Sequence, residues 1–418
     1  MRNTKEFFRF TKQPSSTKLF YSLSILILIA VCFHSCKSSQ FCFNTTSPLE
    51  HSKAKISQSL KNLEDPAETP RNIKKGEKHW NTNGIESWTS GFYPGLLWYM
   101  YDYTGDEFWK EQAHRFTMQL EPIKELDWKT HDFGFMMFNS FGNGYKQTHN
   151  PEYKDILLET ADSLATLFNP TVGTIHSWPW MVRRKNWPHN TIIDNMMNLE
   201  LLFWASKNGG RKELYEIAET HALTTMKNHF REDHTAYHVV VYDTTSGQPL
   251  KKVTDQGYND ASVWSRGQGW AIYGFAVSYR ETRRQEFLDF AKKVTDAYIE
   301  RLPEDYVPYW DFHAPNIPDE PKDASAAALA AAGMLEMIPF LEEQERKKYW
   351  KVAIKTLESL SSEDYLSEET NNAILLHSTG SKPHDSEVDV SLVYADYYYV
   401  EALMKARELR NKFPELCK

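Results

Sequence analysis

Two patterns of apolar positions alternate along the chain from about residue 53 onward. In the first pattern the apolar residues share one face and the charged residues share the other, as in helices on a protein surface. In the second pattern nearly every position is apolar or small, which predicts helices that are buried on all sides. We predict six helices of each kind. The surface set covers residues 53–63, 107–120, 152–168, 213–230, 286–302 and 347–360, and the buried set covers residues 88–101, 132–141, 192–206, 265–279, 323–338 and 388–404.

The alternation of the two sets predicts an all-α fold, an (α/α)6 barrel. Repeated helix pairs form either an open solenoid or a closed ring. An open solenoid leaves one face of every helix in water, and the buried set has almost no polar face to leave there. An inner ring covered by an outer ring buries that set completely. Strand patterns are few, and the best of them, HVVVYD from His238, predicts one arm of a short hairpin.

The first 36 residues are predicted to be a signal peptide that is not part of the fold. Basic residues precede a short apolar run at 19–31, which has signal-peptide length and is too short for an ordinary membrane span. Cys36 follows the small Ser35, which resembles the lipidation motif of bacterial lipoproteins. A plain cleaved signal is the alternative. We expect export to the periplasm of a bacterium or anchoring to its membrane through a lipid on Cys36.

The remainder of the chain is predicted to contain a polar tether at 37–52 and a single (α/α)6 domain at 53–418. Three cysteines, Cys36, Cys42 and Cys417, are left once Cys32 is removed with the signal peptide. Their number and spacing indicate neither a disulfide framework nor a zinc site.

The composition is that of a soluble globular protein, with 41% hydrophobic and 25% charged residues. The net charge of −8 disfavours nucleic acid as a partner. Aromatic residues make up 14% of the chain, and aromatic side chains commonly line ligand pockets, those for sugars included. The sequence has no metal-binding HExxH or CxxC pattern, no Walker loop and no GxSxG nucleophile elbow. We therefore expect neither a metal nor an organic cofactor.

Polar and aromatic side chains gather where the buried helices begin. In an alternating barrel all inner helices run in one direction, so their first residues meet at one mouth. The residues at the predicted starts are Trp88, His131, Asp132, Asp194, Trp264, Arg266, Asp323 and Asp389. A concave mouth with converging polar and aromatic groups is the usual place for a binding site.

The charged residues at this mouth have more than one interpretation. Asp323 and Asp389 are expected to cap the helices that follow them. Asp194 is either a cap or a functional acid, because a carboxylate in so apolar a helix is rarely buried without a partner. The pair of Asp132 and Asp194 suggests glycoside chemistry. Arg266 either grips the carboxylate of a uronic acid or forms an ion pair with a neighbouring acid.

Five motifs resemble those of the unsaturated glucuronyl hydrolases, glycoside hydrolase family 88. In chain order they are WTSGFYPGLLW, HDFGF, IDNMMNLELL, DQGYNDASVWSRGQGW and DVSLVYADYYYVEAL. The resemblance covers residues 80–403 and implies an (α/α)6 barrel, in agreement with the helix pattern. It also implies a catalytic domain that removes 4,5-unsaturated glucuronic acid from the non-reducing end of lyase-generated oligosaccharides. A proton is added to C4 and water to C5, the resulting hemiketal opens, and one carboxyl group acts first as acid and then as base.

The resemblance assigns roles residue by residue. Asp194 matches the catalytic acid and base, and Asp132 matches the second essential carboxylate, which holds the uronate ring. The positions that match substrate-contacting residues are Trp88, His131, Trp178 (with Trp180 as the alternative), His238, Gln256, Trp264, Arg266 and Trp270. Ser381 and Lys382, with Ser378, partly match a cluster that binds sulfate in some family members, and a solvated turn is the alternative. The expected partner is an unsaturated uronyl oligosaccharide.

Three other functions fit less of the sequence. A sister family that acts on unsaturated galacturonyl-rhamnose has the same barrel, but it tends to have RGNGW where this chain has RGQGW, and it differs at HDFGF. A catalytically silent carbohydrate-binding lipoprotein has no need of two acids, Asp132 and Asp194, at one mouth. A structural scaffold has no need of a mouth rich in tryptophan. Fragments of chondroitin, hyaluronan, heparin, ulvan and gellan all end in a similar unsaturated uronate, so each is a candidate source of substrate.

Overall fold

An outer ring of helices surrounds an inner ring in the computed structural model, which describes residues 42–126 and 130–417. The outer ring consists of α1 (Thr46–Leu60), α3 (Glu107–Met118), α5 (Pro151–Ala165), α8 (Glu213–Asn228), α10 (Gln285–Ile299) and α12 (Glu343–Leu360). The inner ring consists of α2 (Phe92–Thr104), a π-helix (Gly134–Gly142) continued by α4 (Asn143–Thr148), a 3₁₀ helix (Ile193–Asn198) continued by α7 (Leu199–Lys207), α9 (Ser265–Thr282), α11 (Ala324–Met337) and α13 (Val393–Lys412). A short α6 (Met181–Lys185) and further 3₁₀ turns at Glu121–Glu125, Ile338–Phe340, Lys382–His384 and Pro414–Cys417 lie in the connections.

Contacts between neighbouring inner elements close the ring. In order, α2 packs on the π-helix, the π-helix on α7, the 3₁₀ helix on α9, α9 on α11, α11 on α13, and α13 again on α2. Each of α3, α5, α8, α10 and α12 packs on the inner element that precedes it in the chain, and α1 packs on α13 and α2. The predicted (α/α)6 barrel is confirmed. None of the helices in the described ranges is long and apolar enough to cross a membrane.

The first helix begins earlier than the sequence predicts. α1 starts at Thr46, so the second half of the predicted tether at 37–52 is helical. Its buried positions include Leu49, Ser52, Ile56 and Ser59, spaced three or four residues apart. This spacing places them on one face, and the small Ser52 and Ser59 hide the pattern in the sequence. The predicted signal peptide, Cys36 and the first residues of the tether lie outside the described residues.

Small residues let the inner helices approach each other closely. α11 is buried along almost its whole length, and half of its positions are alanine. A Cβ atom added to Gly333 of α11 would lie 2.9 Å from the Cα atom of Tyr273 on α9, closer than real Cβ atoms come. Glycine is therefore the residue that allows α9 and α11 to pack at this distance.

Three small antiparallel sheets lie between the helices. Strands β1 (Thr69–Ile73), β2 (Asn81–Asn83) and β8 (Ser391–Leu392) pair in the order β2-β1-β8, and β3 (Phe168–Asn169) pairs with β4 (Thr174–Ile175). Strands β5 (His189–Ile192), β6 (Val239–Tyr242) and β7 (Pro249–Val253) pair in the order β5-β6-β7. β6 and β7 form the hairpin predicted from HVVVYD. Because β5 and β8 lead directly into inner helices, these sheets fix where two of those helices begin.

A disulfide joins Cys42 to Cys417, with Cα atoms 5.0 Å apart and 375 residues between them in the chain. The barrel lies within the compact unit Phe43–Leu416, and neither cysteine belongs to that unit. The expectation that the cysteines form no disulfide is wrong. The spacing of cysteines predicts disulfides only when several cysteines lie at short intervals in the chain. Cys42 and Cys417 are 375 positions apart, so their spacing carries no such signal.

Several histidines are buried beside the small sheets. The rings of His176 and His189 stack with centroids 4.7 Å apart, and His189 Nε2 is hydrogen-bonded to Thr174 Oγ1 at 2.9 Å. His229 Nε2 is hydrogen-bonded to the Thr191 carbonyl at 3.0 Å. Burial lowers the pKa of His189 to about 3 and that of His229 to about 4. These imidazoles are neutral in the folded protein at neutral pH.

We expect the free energy of unfolding to fall as the pH is lowered from 7 to 5. Histidines of the unfolded chain take up protons below about pH 6.5, whereas the folded forms resist protonation down to about pH 3–4 at four positions, namely His176, His189, His229 and His238. Their contribution is present above pH 6.5 and is lost below it. Burial raises the pKa of two acids, Asp194 and Asp396, to about 7, and this offsets part of the loss.

For these six groups the difference is about two protons, which corresponds to roughly 2–3 kcal/mol per pH unit. Burial also lowers the pKa of His131 and of His221, which adds to the loss. Urea unfolding at pH 7 and at pH 5.5 measures this loss. His313→Gln, at an exposed position, is the matched control and should leave the slope unchanged. Constant or rising stability toward pH 5.5 would contradict the expectation.

Candidate active site

Asp194 lies where one inner-ring element begins, in the first turn of the 3₁₀ helix that follows β5. Its side chain caps no backbone N–H group, so the interpretation of Asp194 as a helix cap is wrong. The residue is 9% exposed, and its Oδ2 atom is buried without a hydrogen-bond partner in the described part of the chain. A carboxyl group in this position is unusual, because buried polar atoms are normally paired.

Burial raises the pKa of Asp194 to about 7. The positive charge of Arg266, the backbone at Asp194 itself and the indole N–H of Trp270 lower that pKa, whereas the neighbouring charge of Asp132 raises it. Desolvation is the largest of these effects. The side chain is therefore poised to carry a proton at neutral pH and to release it, as an acid that later acts as a base must do.

His238 faces Asp194 across a short gap. The backbone N–H groups of Asp255 and Gln256 both donate to His238 Nδ1, at 3.1 and 3.2 Å. Burial lowers the pKa of His238 to about 3, so the ring is neutral and its proton is on Nε2. Nε2 lies 3.7 Å from Asp194 Oδ2, and both atoms are without a hydrogen-bond partner among the described residues. A donor and a carboxyl group are thus buried side by side, and none of the described residues is hydrogen-bonded to either of these two atoms.

Asp132 is held on the other side of the site. Thr130 Oγ1 donates to Asp132 Oδ2 at 2.7 Å, and His131 Nε2 lies 3.4 Å from Asp132 Oδ1. Burial lowers the pKa of His131, so this neighbour is neutral. The π-helix follows directly, and its Phe135 N–H donates to Asn198 Oδ1 at 2.8 Å. Asn198 Nδ2 also lies 3.4 Å from His131 Nδ1. Asn198 therefore connects the element that carries Asp194 with the element that carries Asp132.

Arg266 is 3% exposed and fully engaged by the protein. Nη1 donates to Asp323 at 2.6 Å, Nη2 donates to Gln256 Oε1 at 3.0 Å, and the guanidinium also donates to the carbonyls of Thr379 and Gly380 at 2.5 Å. Of the two interpretations offered for Arg266, the ion pair with a neighbouring acid is the one observed. Both of its terminal nitrogens are occupied, so a bidentate grip on a substrate carboxylate requires these bonds to be exchanged.

The aspartates predicted to be caps differ in their outcome. Asp323 accepts hydrogen bonds from the backbone N–H groups of Ser325 and Ala326 at the start of α11, as predicted. Asp389 caps no helix, because α13 begins only at Val393. Asp389 instead has a φ of 55° and binds His377 Nδ1 at 2.6 Å and Lys75 Nζ at 3.0 Å.

Aromatic rings line the site on two sides. Phe135 packs between Trp88 and Trp270, with centroid distances of 5.5 and 5.2 Å. His238 lies between Trp178 and Trp264, at 5.6 and 4.5 Å. Of the two tryptophans that the sequence left open, Trp178 is therefore the one beside the candidate acid. These apolar walls supply the desolvation that raises the pKa of Asp194.

Ser381 and Lys382 lie on a hairpin that spans residues 377–390, the mouth hairpin. It is closed by bridges between Ser378 and Val390 and between Ser381 and Ser386. Ser381 Oγ is hydrogen-bonded to His384 Nδ1 at 2.7 Å. Since Arg266 binds the carbonyl of Gly380, Lys382 follows closely on a residue held at the site.

Residues elsewhere in the chain complete the mouth. The guanidinium of Arg71 on β1 donates to both carboxylate oxygens of Glu387, at 2.7 and 2.5 Å, which fastens the mouth hairpin to β1. Arg71 also lies 5.2 Å above the Trp88 ring. Tyr394 packs at 5.1 Å from Trp88, and its buried hydroxyl has no hydrogen-bond partner among the described residues. No group of three or more His, Cys, Asp or Glu side chains in residues 42–126 and 130–417 is placed to hold a metal ion.

The sequence model of Glycosyl Hydrolase Family 88 matches residues 56–408. The chain belongs to this family. An unsaturated glucuronyl hydrolase of Formosa agariphila is 45% identical over 329 residues, which cover 78% of this chain and 81% of the relative. An unsaturated chondroitin disaccharide hydrolase of Streptococcus pneumoniae is 34% identical over 323 residues, which cover 76% and 81%. A crystal structure of an unsaturated glucuronyl hydrolase specific for heparin is 38% identical, with a TM-score of 0.84 over 88% of this chain and 98% of the other.

The resemblance found in the five motifs is thereby confirmed, and the family 88 chain is a glycoside hydrolase. Sequence reasoning missed Asn198, Arg71, Glu387 and Tyr394. Asn198 was detectable, because it follows Asp194 by four residues within one of the motifs. Arg71 and Glu387 were not, since 316 residues separate them and no local pattern connects them.

We expect the Asp194 carboxyl group of this family 88 enzyme to titrate near pH 7, because burial opposes its ionisation more strongly than Arg266 favours it. In Asp132→Asn the loss of a neighbouring negative charge should lower the pKa of Asp194. Carbon-13 NMR of protein labelled at aspartate measures both values, and Asp194→Asn identifies the signal. A pKa near the ordinary value of 3.8 would contradict this account of the site.

Proposed function

We propose that the protein removes 4,5-unsaturated glucuronic acid from the non-reducing end of oligosaccharides produced by polysaccharide lyases. The observation that carries this proposal is the buried, unpaired Asp194 beside the N–H group of His238, with their atoms 3.7 Å apart. Addition of water to a double bond requires one carboxyl group that can carry a proton near neutral pH, and Asp194 meets this requirement. The names of the Formosa and heparin-specific relatives support the same substrate group.

In the proposed reaction the Asp194 carboxyl donates its proton to C4 of the unsaturated ring. Water adds to C5, which carries the developing positive charge, and the Asp194 carboxylate takes the proton that this water loses. The product is a hemiketal at C5. Breakdown of the hemiketal opens the ring and leaves a hemiacetal at C1, from which the remaining sugar departs as an alcohol. Asp194 thus returns to its protonated state.

The other site residues bind and orient the substrate in this proposal. Asp132, held by Thr130 and His131, accepts hydrogen bonds from ring hydroxyls. Neutral His238 donates from Nε2 to an oxygen of the substrate or to the attacking water. The aromatic walls formed by Trp88, Trp178, Trp264 and Trp270 exclude other water, while Arg266 and Gln256 supply positive and polar groups near the uronate carboxylate.

Lys382 and Ser381 are proposed to bind a sulfate on the sugar next to the unsaturated residue. Lys382 is partly exposed, and its ammonium forms no ion pair within the described ranges, so it is available to an anion. The chondroitin enzyme of Streptococcus pneumoniae and the heparin-specific enzyme show that related proteins act on fragments of different glycosaminoglycans. Sulfate binding by Lys382 would make this chain favour sulfated fragments.

We expect the purified protein to abolish the ultraviolet absorbance of the C4=C5 bond in unsaturated glucuronyl disaccharides. Asp194→Asn should lower kcat by at least about 10³-fold, because it removes the only proton donor assigned to C4. Circular dichroism of the variant provides the control for folding, since asparagine has nearly the same shape. Substantial turnover by a folded Asp194→Asn protein would exclude Asp194 as the acid. Decay only with unsaturated galacturonyl-rhamnose would move the assignment to the sister family.

We further propose that the protein is exported and carries a lipid on Cys36. The disulfide between Cys42 and Cys417 supports export, because disulfides form and persist in oxidising compartments and are rare in the cytosol. Because of the proposed lipid on Cys36, the wild-type protein should sediment with the membranes of a bacterial host.

Cys36→Ser should release the protein into the soluble periplasmic fraction with its disulfide intact, since that bond does not use Cys36. Cell fractionation measures the location, and alkylation with and without reductant measures the disulfide. An unchanged distribution of Cys36→Ser would exclude the anchor, and free thiols at both Cys42 and Cys417 would remove the support for export.

A further inference from the structure

The segment 178–185 at the mouth presents an exposed aromatic ring next to two arginines. Trp180 is 46% exposed, and Val182 on the same segment is 42% exposed. Pro179, Trp180, Val182, Arg183 and Arg184 line a surface depression of about 590 Å³. Exposed apolar surface bordered by polar groups commonly marks a place of interaction.

This depression continues the line of rings that begins at the candidate acid. The His238 ring, beside Asp194, lies 5.6 Å from Trp178, and Trp178 lies 6.4 Å from Trp180 at an interplanar angle of 33°. Each step along this row is comparable to the length of one sugar ring. Trp180 therefore lies two ring spacings from His238, on the exposed side of Trp178.

The segment is held rigidly by the core beneath it. Trp178, Met181 and Trp187 are buried in one cluster with residues of β5 and β6, and the N–H of Trp187 donates to the carbonyl of Met181 at 3.3 Å. Lys185 is paired with Asp255 at 2.6 Å and lies 4.8 Å from the Trp187 ring. Because the backbone of the segment is already held, binding a ligand costs conformational entropy mainly in the exposed side chains.

The arginines of this segment form no ion pair with any of the described residues. The sequence from 163 to 193 contains no Asp or Glu, in a protein with a net charge of −8. Arg183 and Arg184 are exposed, and neither guanidinium is paired with a carboxylate in the part of the chain that the structure describes. The neighbouring Lys185 is neutralised by Asp255, whereas Lys251, 5.2 Å from the Trp187 ring, adds a third positive charge to this region.

We propose that segment 178–185 is an outer subsite for an anionic sugar residue of a lyase product longer than a disaccharide. Trp180 stacks on the sugar ring, and the planar guanidinium groups of Arg183 and Arg184 bind its sulfate or carboxylate in bidentate fashion. The inference rests on the proposed function, because it takes the substrate to begin at Asp194. Its consequence is a preference for charged tetrasaccharides over disaccharides.

The test compares Arg183→Gln/Arg184→Gln with wild type on three unsaturated substrates: an unsulfated disaccharide, an unsulfated tetrasaccharide and a sulfated tetrasaccharide. We expect KM for the tetrasaccharides to rise about tenfold with kcat unchanged, and KM for the disaccharide to change less than twofold. A larger rise with the sulfated tetrasaccharide identifies sulfate as the bound group, and equal rises identify the uronate carboxylate. Added salt should weaken tetrasaccharide binding in wild type more than in the variant.

Lys347→Gln/Lys351→Gln on α12 is the matched control, because it removes two exposed positive charges away from the mouth and should change no KM. Trp180→Ala should raise KM for both tetrasaccharides. Unchanged KM values in the arginine variant, or equal rises for disaccharide and tetrasaccharides, would overturn the outer subsite while disaccharide turnover still supports the proposed function. No decay of the disaccharide by wild type would overturn both.

Discussion

The buried ion pair between Arg266 and Asp323 organises the mouth of the barrel. Both residues are almost completely buried, and removing one partner of such a pair typically destabilises a protein by about 3–5 kcal/mol. Arg266 begins α9, Asp323 caps α11, and the same guanidinium binds Gln256 and two carbonyls of the mouth hairpin. One contact therefore fixes the starts of two inner helices together with the loops that cover them.

The same guanidinium limits how far burial raises the pKa of Asp194. A nearby positive charge favours the ionised carboxylate, and desolvation by the aromatic walls opposes it. Arg266 directs its hydrogen bonds to other oxygens, so its charge acts on Asp194 through space, whereas burial acts on the carboxyl group directly. Desolvation prevails, and the resulting pKa of about 7 suits a group that must both donate and accept a proton near neutral pH.

The ring architecture was predictable because it depends on local patterns. Each inner helix is apolar almost all round, and that feature is visible in any stretch of fifteen residues. The roles expected for Asp389 and the cysteines were wrong for the opposite reason. Asp389 turns to His377 and Lys75, and Cys42 bonds to Cys417, and these partners are remote in the chain. The candidate site shows the same difference between local and remote features. Asp194 and Asp132 were predictable because they stand at predicted helix starts. The hydrogen bonds of Arg266 to the carbonyls of Thr379 and Gly380 were not, because no sequence pattern connects these residues.

The residues proposed for the reaction chemistry and those proposed for substrate selection lie on different parts of this chain. The two candidate carboxyl groups stand at the beginnings of inner elements, where a change in position would disturb the closed ring. Arg183, Arg184 and Lys382 form no ion pair in the described ranges. They stand on connections that are anchored by the buried cluster of Trp178 and Met181 or by the pair of Arg71 and Glu387. Side chains at such positions can be exchanged with little effect on the barrel or on Asp194. A family with one reaction can therefore serve different polysaccharides, and the charge on these connections is the feature by which a member should be matched to its substrate.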